Sequence, residues 1–281
     1  MWRPSGLRVL GIPVGTDTFV RGFLERQIEE ERRLLDAIPS LQDTQCEWLV
    51  LSMCAAPRAN HLLRTCSGPP MAAYAAMHDA LLVGAMSSLL LFSLENLRHQ
   101  QQHTQGLIQA PRRYGGIGLR SASRSWSSAF FAGWAAALPV WRARFPEVAA
   151  RAIDFLDGQG SHPCPSVVAA QTATRDLLEH GWTPPTWAAL ASGTSPAMTS
   201  ADPELESGEF AYGWQFYASD AVERFIHNRE LHSLNATGQA LLRSQVGRHS
   251  GDIFAVLPTQ PHFRPSRAGS SRASGAAFGS L

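Results

Sequence analysis

Thr16-Asp-Thr-Phe-Val-Arg-Gly-Phe-Leu-Glu-Arg-Gln-Ile-Glu-Glu-Glu-Arg-Arg-Leu-Leu-Asp-Ala-Ile38 sets the fold class. Its apolar residues Phe19, Val20, Phe23, Leu24, Ile28, Leu34, Leu35 and Ile38 recur mostly every third or fourth position, the period of a helix buried on one face. Thr16 and Asp17 are good capping residues. Arg26/Glu30 and Glu29/Arg33 stand four apart, spaced to pair on the solvent side. N-terminal to it, Leu7-Arg-Val-Leu-Gly-Ile-Pro-Val14 is aliphatic and β-branched, contains a Gly and a Pro, and ends at Gly15, so it predicts a short N-terminal strand.

Downstream the helical pattern continues. Helices are expected over Leu41 to Ala55, from Pro57 to Cys66, and over the apolar stretch Met71 to Leu97, with Gly68-Pro69-Pro70 as a stop between the last two. His78, Asp79, Gly84, Ser87 and Ser88 dilute the apolar stretch, which makes it a buried core helix and not a membrane span. Ser121 to Leu138 carries Trp126, Phe130 and Trp134 four apart, among alanines and serines small enough to let a neighbour approach. Further helices are expected at Glu147 to Leu156, Val167 to Glu179, Ser219 to Leu234 and Thr237 to Val246. The sequence thus predicts a mainly α protein: an irregular helical bundle in two packed units, a short N-terminal strand, and a disordered Ser/Arg/Gly/Ala tail after Arg264. Composition shifts divide it into residues 1–157, a linker-rich stretch at 158–208 with a weak helix, a small helical region at 209–263 and the tail at 264–281.

With 281 residues, 44% of them hydrophobic and 17% charged, the chain has the apolar material for a core. All 24 basic residues are arginine, and the formal charge is +1. Arginines 98, 112, 113, 120, 124, 142, 144 and 151 face a single acid, Glu147, within that interval; the local net of +7 leaves −6 for the rest of the chain. Such asymmetry marks a basic face able to meet phosphate, or a solvated helix surface. Cys46, Cys54, Cys66 and Cys164 have no CxxC spacing, and the N-terminus has no secretory pattern, so free thiols and an intracellular location are expected, with nucleus and cytoplasm not distinguished.

Catalytic patterns are missing: there is no GxSxG, HExxH, GxxxxGK[ST] or GxGxxG. His99 and His103 are four apart but have no nearby Cys or carboxylate to complete a metal site, and His78 and Asp79, being adjacent on a helix, point apart. Asp154 and Asp157 read as surface acids near a helix C-terminus. No metal and no cofactor is expected. The stripe Trp126, Phe130, Trp134 reads as a core face, with a base-stacking platform as its alternative.

Three segments, in order, resemble the reverse transcriptases of non-LTR (LINE-type) retrotransposons. Leu10-Gly-Ile-Pro-Val-Gly15 is similar to the LGxPxG that follows the catalytic palm, whose Leu-Gly pair lies in the turn gripping the primer terminus. Cys54-Ala-Ala-Pro-Arg-Ala-Asn-His-Leu-Leu-Arg64 resembles the helical thumb, and Ala110-Pro-Arg-Arg-Tyr-Gly-Gly-Ile-Gly-Leu-Arg-Ser121 resembles the P-x-x-x-GGLGLRS signature after it, with Ile117 in place of the usual Leu. More weakly, Ala240 to Gly247 and Phe254 to Thr259 look like a segment further on; the Cys/His-rich module expected to follow is replaced here by the tail. The resemblance spans about residues 7 to 260.

Nucleotidyl transfer in such polymerases needs aspartates, including an Asp-Asp pair, to hold two metal ions, and this chain has no Asp-Asp dipeptide. The resemblance therefore implies a palm-less, truncated reverse-transcriptase-like protein of retrotransposon origin that is not an enzyme. Its implied partner is RNA or an RNA–DNA hybrid, met by Leu10, Gly11, Arg112, Arg113, Arg120 and Arg124, with Gly115, Gly116 and Gly118 letting the main chain come close. The alternative is a small helical protein–protein interaction domain that does not bind nucleic acid. A thumb without its palm would also expose the face that packs there, which predicts poor solubility or self-association.

Overall fold

The structure is a computed structural model, and it describes residues 5–90, 101–159, 164–196 and 213–247. It is mainly helical, with one small sheet. The expected strand is a hairpin: β1 (Gly6–Val9) pairs antiparallel with β2 (Ile12–Gly15) around the two-residue turn Leu10-Gly11. Both turn residues have positive φ, 49° and 86°, the type I′ geometry that suits the right-handed twist of a tight hairpin.

Helix α1 (Asp17–Ala37) begins where Thr16 Oγ1 accepts the Phe19 N–H at 3.3 Å. On its outer face Arg33 pairs with Glu29 at 3.5 Å, while Arg26 lies over the Phe23 ring and Glu30 accepts from Gln27. A 3₁₀ turn follows at Ile38–Leu41, then α2 (Thr44–Val50), capped by Asp43, whose carboxylate accepts the Gln45 and Cys46 N–H groups. The chain passes Pro57 without straightening. A π turn (Leu51–Ala55) and a 3₁₀ turn (Ala56–Ala59) absorb the missing N–H before α3 (Asn60–Thr65).

Next come α4 (Pro69–Leu89), α5 (Gln101–Gln109) and α6 (Ala122–Arg144). α5 falls between the expected helices Met71 to Leu97 and Ser121 to Leu138, where none was expected. α6 runs past its internal Pro139, six residues beyond the expected end at Leu138; Trp134 and Trp141 bracket the proline with ring centroids 5.5 Å apart. α7 (Pro146–Leu156) and α8 (Pro165–Glu179) both start on a proline, which loses no intrahelical bond there. α9 (Trp187–Ala191), which periodicity did not announce, is capped by Thr186, and α10 (Trp214–Ser233) and α11 (Ala236–Ser244) complete the described chain. The far end of the expected Met71 to Leu97 helix, residues 160–163 and 197–208 of the expected linker-rich stretch and the tail at 264–281 lie outside the described residues.

The chain divides into two compact units, each built from three separated stretches. The first takes Met1–Arg21, Asn60–Ala73 and Ser123–Phe225; the second takes Gly22–Ala59, Tyr74–Ala122 and Ile226–Leu281. In the first unit Phe131 is fully buried, edge-on to Trp182 and tilted against Trp187 at 5.2–5.3 Å. A Cβ on Gly133 would sit 2.4 Å from the Arg64 carbonyl oxygen, so α3 and α6 cross there because the residue is glycine. In the second unit Leu35, Ile38, Trp48, Leu51, Leu82, Met86, Leu89, Ile108, Ile117 and Leu119 form a continuous core. Its polar brace is on α4. His78 Nδ1 is 2.8 Å from Glu31 Oε1, both side chains fully buried, while Asp79 accepts from the Ser121 hydroxyl and the Ala122 N–H, each at 2.6 Å. The two adjacent side chains do point apart, and each anchors a different segment. Among the described residues no helix is long and apolar enough to cross a membrane.

Candidate nucleic-acid interface

The glycine-rich segment Pro111 to Arg120 is built as a cap on α5. A helix leaves its last four carbonyls without partners. Here the chain folds back so that the N–H groups of Ile117, Leu119 and Gly118 donate to the carbonyls of Leu107, Ile108 and Ala110 at 2.9–3.1 Å, while Ala110 N–H takes that of Gly106. Each glycine has a local reason. Gly115 (φ 80°) and Gly118 (φ 90°) are left-handed, and a Cβ on Gly116 would lie 2.1 Å from the Ala110 oxygen. The close approach that three glycines permit is thus an intramolecular one. Ile117 and Leu119 between them enter the core.

The expected arginines differ in what they touch. Arg112 lies over the Trp48 ring at 5.8 Å and donates from Nε to the Ile117 carbonyl. Arg113 lies over Tyr114 at 5.2 Å, and Tyr114 in turn stacks on His227. Burial pushes the His227 imidazole below its ordinary pKa. Arg124 is mostly buried, 3.6 Å from the buried Glu223. Arg120 is exposed.

Leu10 and Gly11 occupy the hairpin turn, with Leu10 89% exposed and its carbonyl 3.2 Å from His61 Nε2. Leu10, Gly11 and Arg124 belong to the first unit, and Arg112, Arg113, Gly115, Gly116, Gly118 and Arg120 to the second.

Of the stripe, Phe130 is fully buried and stacks on Trp126, while Trp126 and Trp134 are half-buried. Asp157 has its carboxyl raised, by burial first and by Asp154 second. His99 and the side chain of His103 lie outside the described residues. Among the described residues no three His, Cys, Asp or Glu side chains are grouped to hold a metal ion, and all four cysteines are free.

Comparison with protein-family models, with curated proteins and with solved structures gives no match.

A further exposed surface lies outside the residues that the sequence singles out. At the junction of α6 and α7, Val140, Trp141, Phe145 and Val148 are all exposed, Phe145 at 60%, and they are interleaved with exposed Arg142, Arg144 and Arg151. The Phe145 N–H donates to the Trp141 carbonyl, which puts the two aromatics one helical turn apart on the same side. Arg142 donates to the Ser192 hydroxyl at 2.5 Å. The signal was legible: Trp141-Arg-Ala-Arg-Phe145 sets two aromatics around two arginines inside the basic interval, just beyond Leu138, where the helix was expected to end.

Proposed function

We propose that the chain is a non-catalytic helical protein, similar to the region downstream of a reverse-transcriptase palm, that holds RNA or an RNA–DNA hybrid without extending it. The observation that carries this reading is the α6–α7 junction. Two exposed aromatic rings there can stack on bases, while Arg142, Arg144 and Arg151 neutralise phosphates. In the same unit Leu10, exposed at the hairpin turn, is a further contact; Arg120, exposed in the second unit, is a separate one. Arg112, Arg113 and Arg124, half-buried against a ring or a carboxylate where Arg142 is exposed, serve as supports. The reading assigns no nucleotidyl transfer, since the sequence has no Asp-Asp pair to hold two metals.

The test is binding to an RNA–DNA hybrid with a single-stranded RNA overhang, followed by anisotropy across a salt series. Three phosphate contacts predict a log–log salt slope of roughly −2 to −3. Trp141→Ala and Arg144→Ala should each weaken binding, the second also flattening the slope. No binding at low salt would sink the proposal.

A second reading, a protein–protein interaction domain, is favoured by the hairpin. Leu7, Val9, Leu10 and Val14 are exposed on a two-stranded sheet, the kind of apolar surface that recruits another chain. Equal affinity for polyanions and neutral controls, together with concentration-dependent self-association, would favour it.

A further inference from the structure

The second unit contains a cleft of about 360 Å³ between α1, α2 and α4. Leu35, Ile38, Leu51 and Leu89 form its buried floor and Leu81 part of its wall, while Arg32, Asp36, Gly84 and Ser88 stand exposed around the mouth. Glu47 also lines it. That residue is 2% exposed, and among the described residues its Oε1 is shielded from solvent with no hydrogen-bond partner.

A carboxylate oxygen out of water and without a donor is costly, so a site that keeps one is incomplete unless a donor arrives from outside. Of the charged side chains lining the cleft, Arg32 is drawn to Glu29 at 3.0 Å, which leaves the local balance to Asp36 and Glu47, both acidic. The volume is at the small end of ligand pockets, room for a single ring or short chain. The geometry points to a binding site for a small amphipathic amine, its ammonium hydrogen-bonded to Glu47 and its apolar body on Leu35, Ile38, Leu51 and Leu89. A charge-assisted bond to a buried carboxylate supplies orientation, and the leucine-rich floor supplies affinity. The site does not depend on nucleic-acid binding, and its test is separate.

The probe is phenethylamine, titrated into the full chain by calorimetry and by thermal shift. Its neutral and anionic counterparts, 2-phenylethanol and 3-phenylpropionate, serve as matched controls. The amine should bind saturably and raise the melting temperature, and the anion should do neither. Glu47→Gln should weaken amine binding about tenfold, as expected when a charged partner is replaced by a neutral one.

Gly84→Leu supplies a second variant that does not disturb the carboxylate. A Cβ at Gly84 meets nothing within 4 Å, so the longer side chain enters the mouth of the cleft without displacing backbone, and amine binding should be lost. No saturable binding in the millimolar range, equal affinity for the amine and the alcohol, or unchanged affinity in Gly84→Leu would each overturn the assignment.

Discussion

Leu10 is the residue whose conformation is hardest to justify by folding alone. A leucine at φ 49° carries a left-handed penalty of about 1–2 kcal/mol, and at 89% exposure its side chain gains little burial in return. Strain kept without packing to offset it is a reason to look for function. Leu10→Asn keeps the turn geometry with a residue that tolerates it, and should raise stability by about 1 kcal/mol in urea unfolding. If the turn is a contact, the same variant should bind the hybrid more weakly; stability gained with binding unchanged would make Leu10 a bystander. His227 gives a pH-dependent signature. Its folded pKa is lowered, so below about pH 6.5 the unfolded state takes up protons that the folded state refuses, and stability falls as pH falls through that window. Unfolding curves from pH 8 to pH 5 should therefore decline less in His227→Gln than in the wild type. An identical decline would mean that burial does not hold the imidazole neutral.

The elements show where sequence reading succeeds and where it stops. The periodic helices were legible because burial on one face imposes a 3.6-residue period, and α1 is found with the Thr16 cap its sequence predicts. The missed structure falls where tertiary contacts override local chemistry. The expected helices end at Ala55, with a new one from Pro57, and at Leu138, yet π and 3₁₀ turns carry the chain through Pro57, and α6 continues through Pro139 with Trp134 against Trp141. The hairpin was half legible. Leu10-Gly11 was read inside one strand because a leucine is a poor advertisement for a type I′ turn. The glycine-rich segment was legible as a place needing special backbone, but its purpose, closing the carbonyls of α5, depends on hydrogen bonds between residues up to eleven apart. Gly116→Ala tests that purpose. Its new Cβ would strike the Ala110 carbonyl group, a backbone obstacle that cannot rotate away, and unfolding should cost roughly 2–4 kcal/mol less. A neutral result in urea unfolding would show that the cap is not held as described.

At the scale of the whole chain, composition suggested a boundary near residue 157, because Gly, Ser and Pro accumulate after Leu156. Composition reports where backbone is cheap to expose, not which stretches share a core. The two units are each assembled from three separated stretches, so no single cut leaves either one whole. Residues 1–157 alone would lack Leu242, which packs over Gly115, and His227, which stacks on Tyr114, and so would uncover the segment that caps α5. They would also lack Trp182 and Trp187, the partners of the buried Phe131. Removing two aromatic neighbours from a fully buried phenylalanine leaves apolar surface open to water at about 25 cal/mol per Å². The fragment 1–157 should therefore unfold at a lower urea concentration than the full chain, with a broad transition and with dye binding to exposed apolar surface before the midpoint. The full chain should unfold later and more sharply. A fragment that melted as sharply as the intact protein would mean that the first 157 residues hold a complete core of their own.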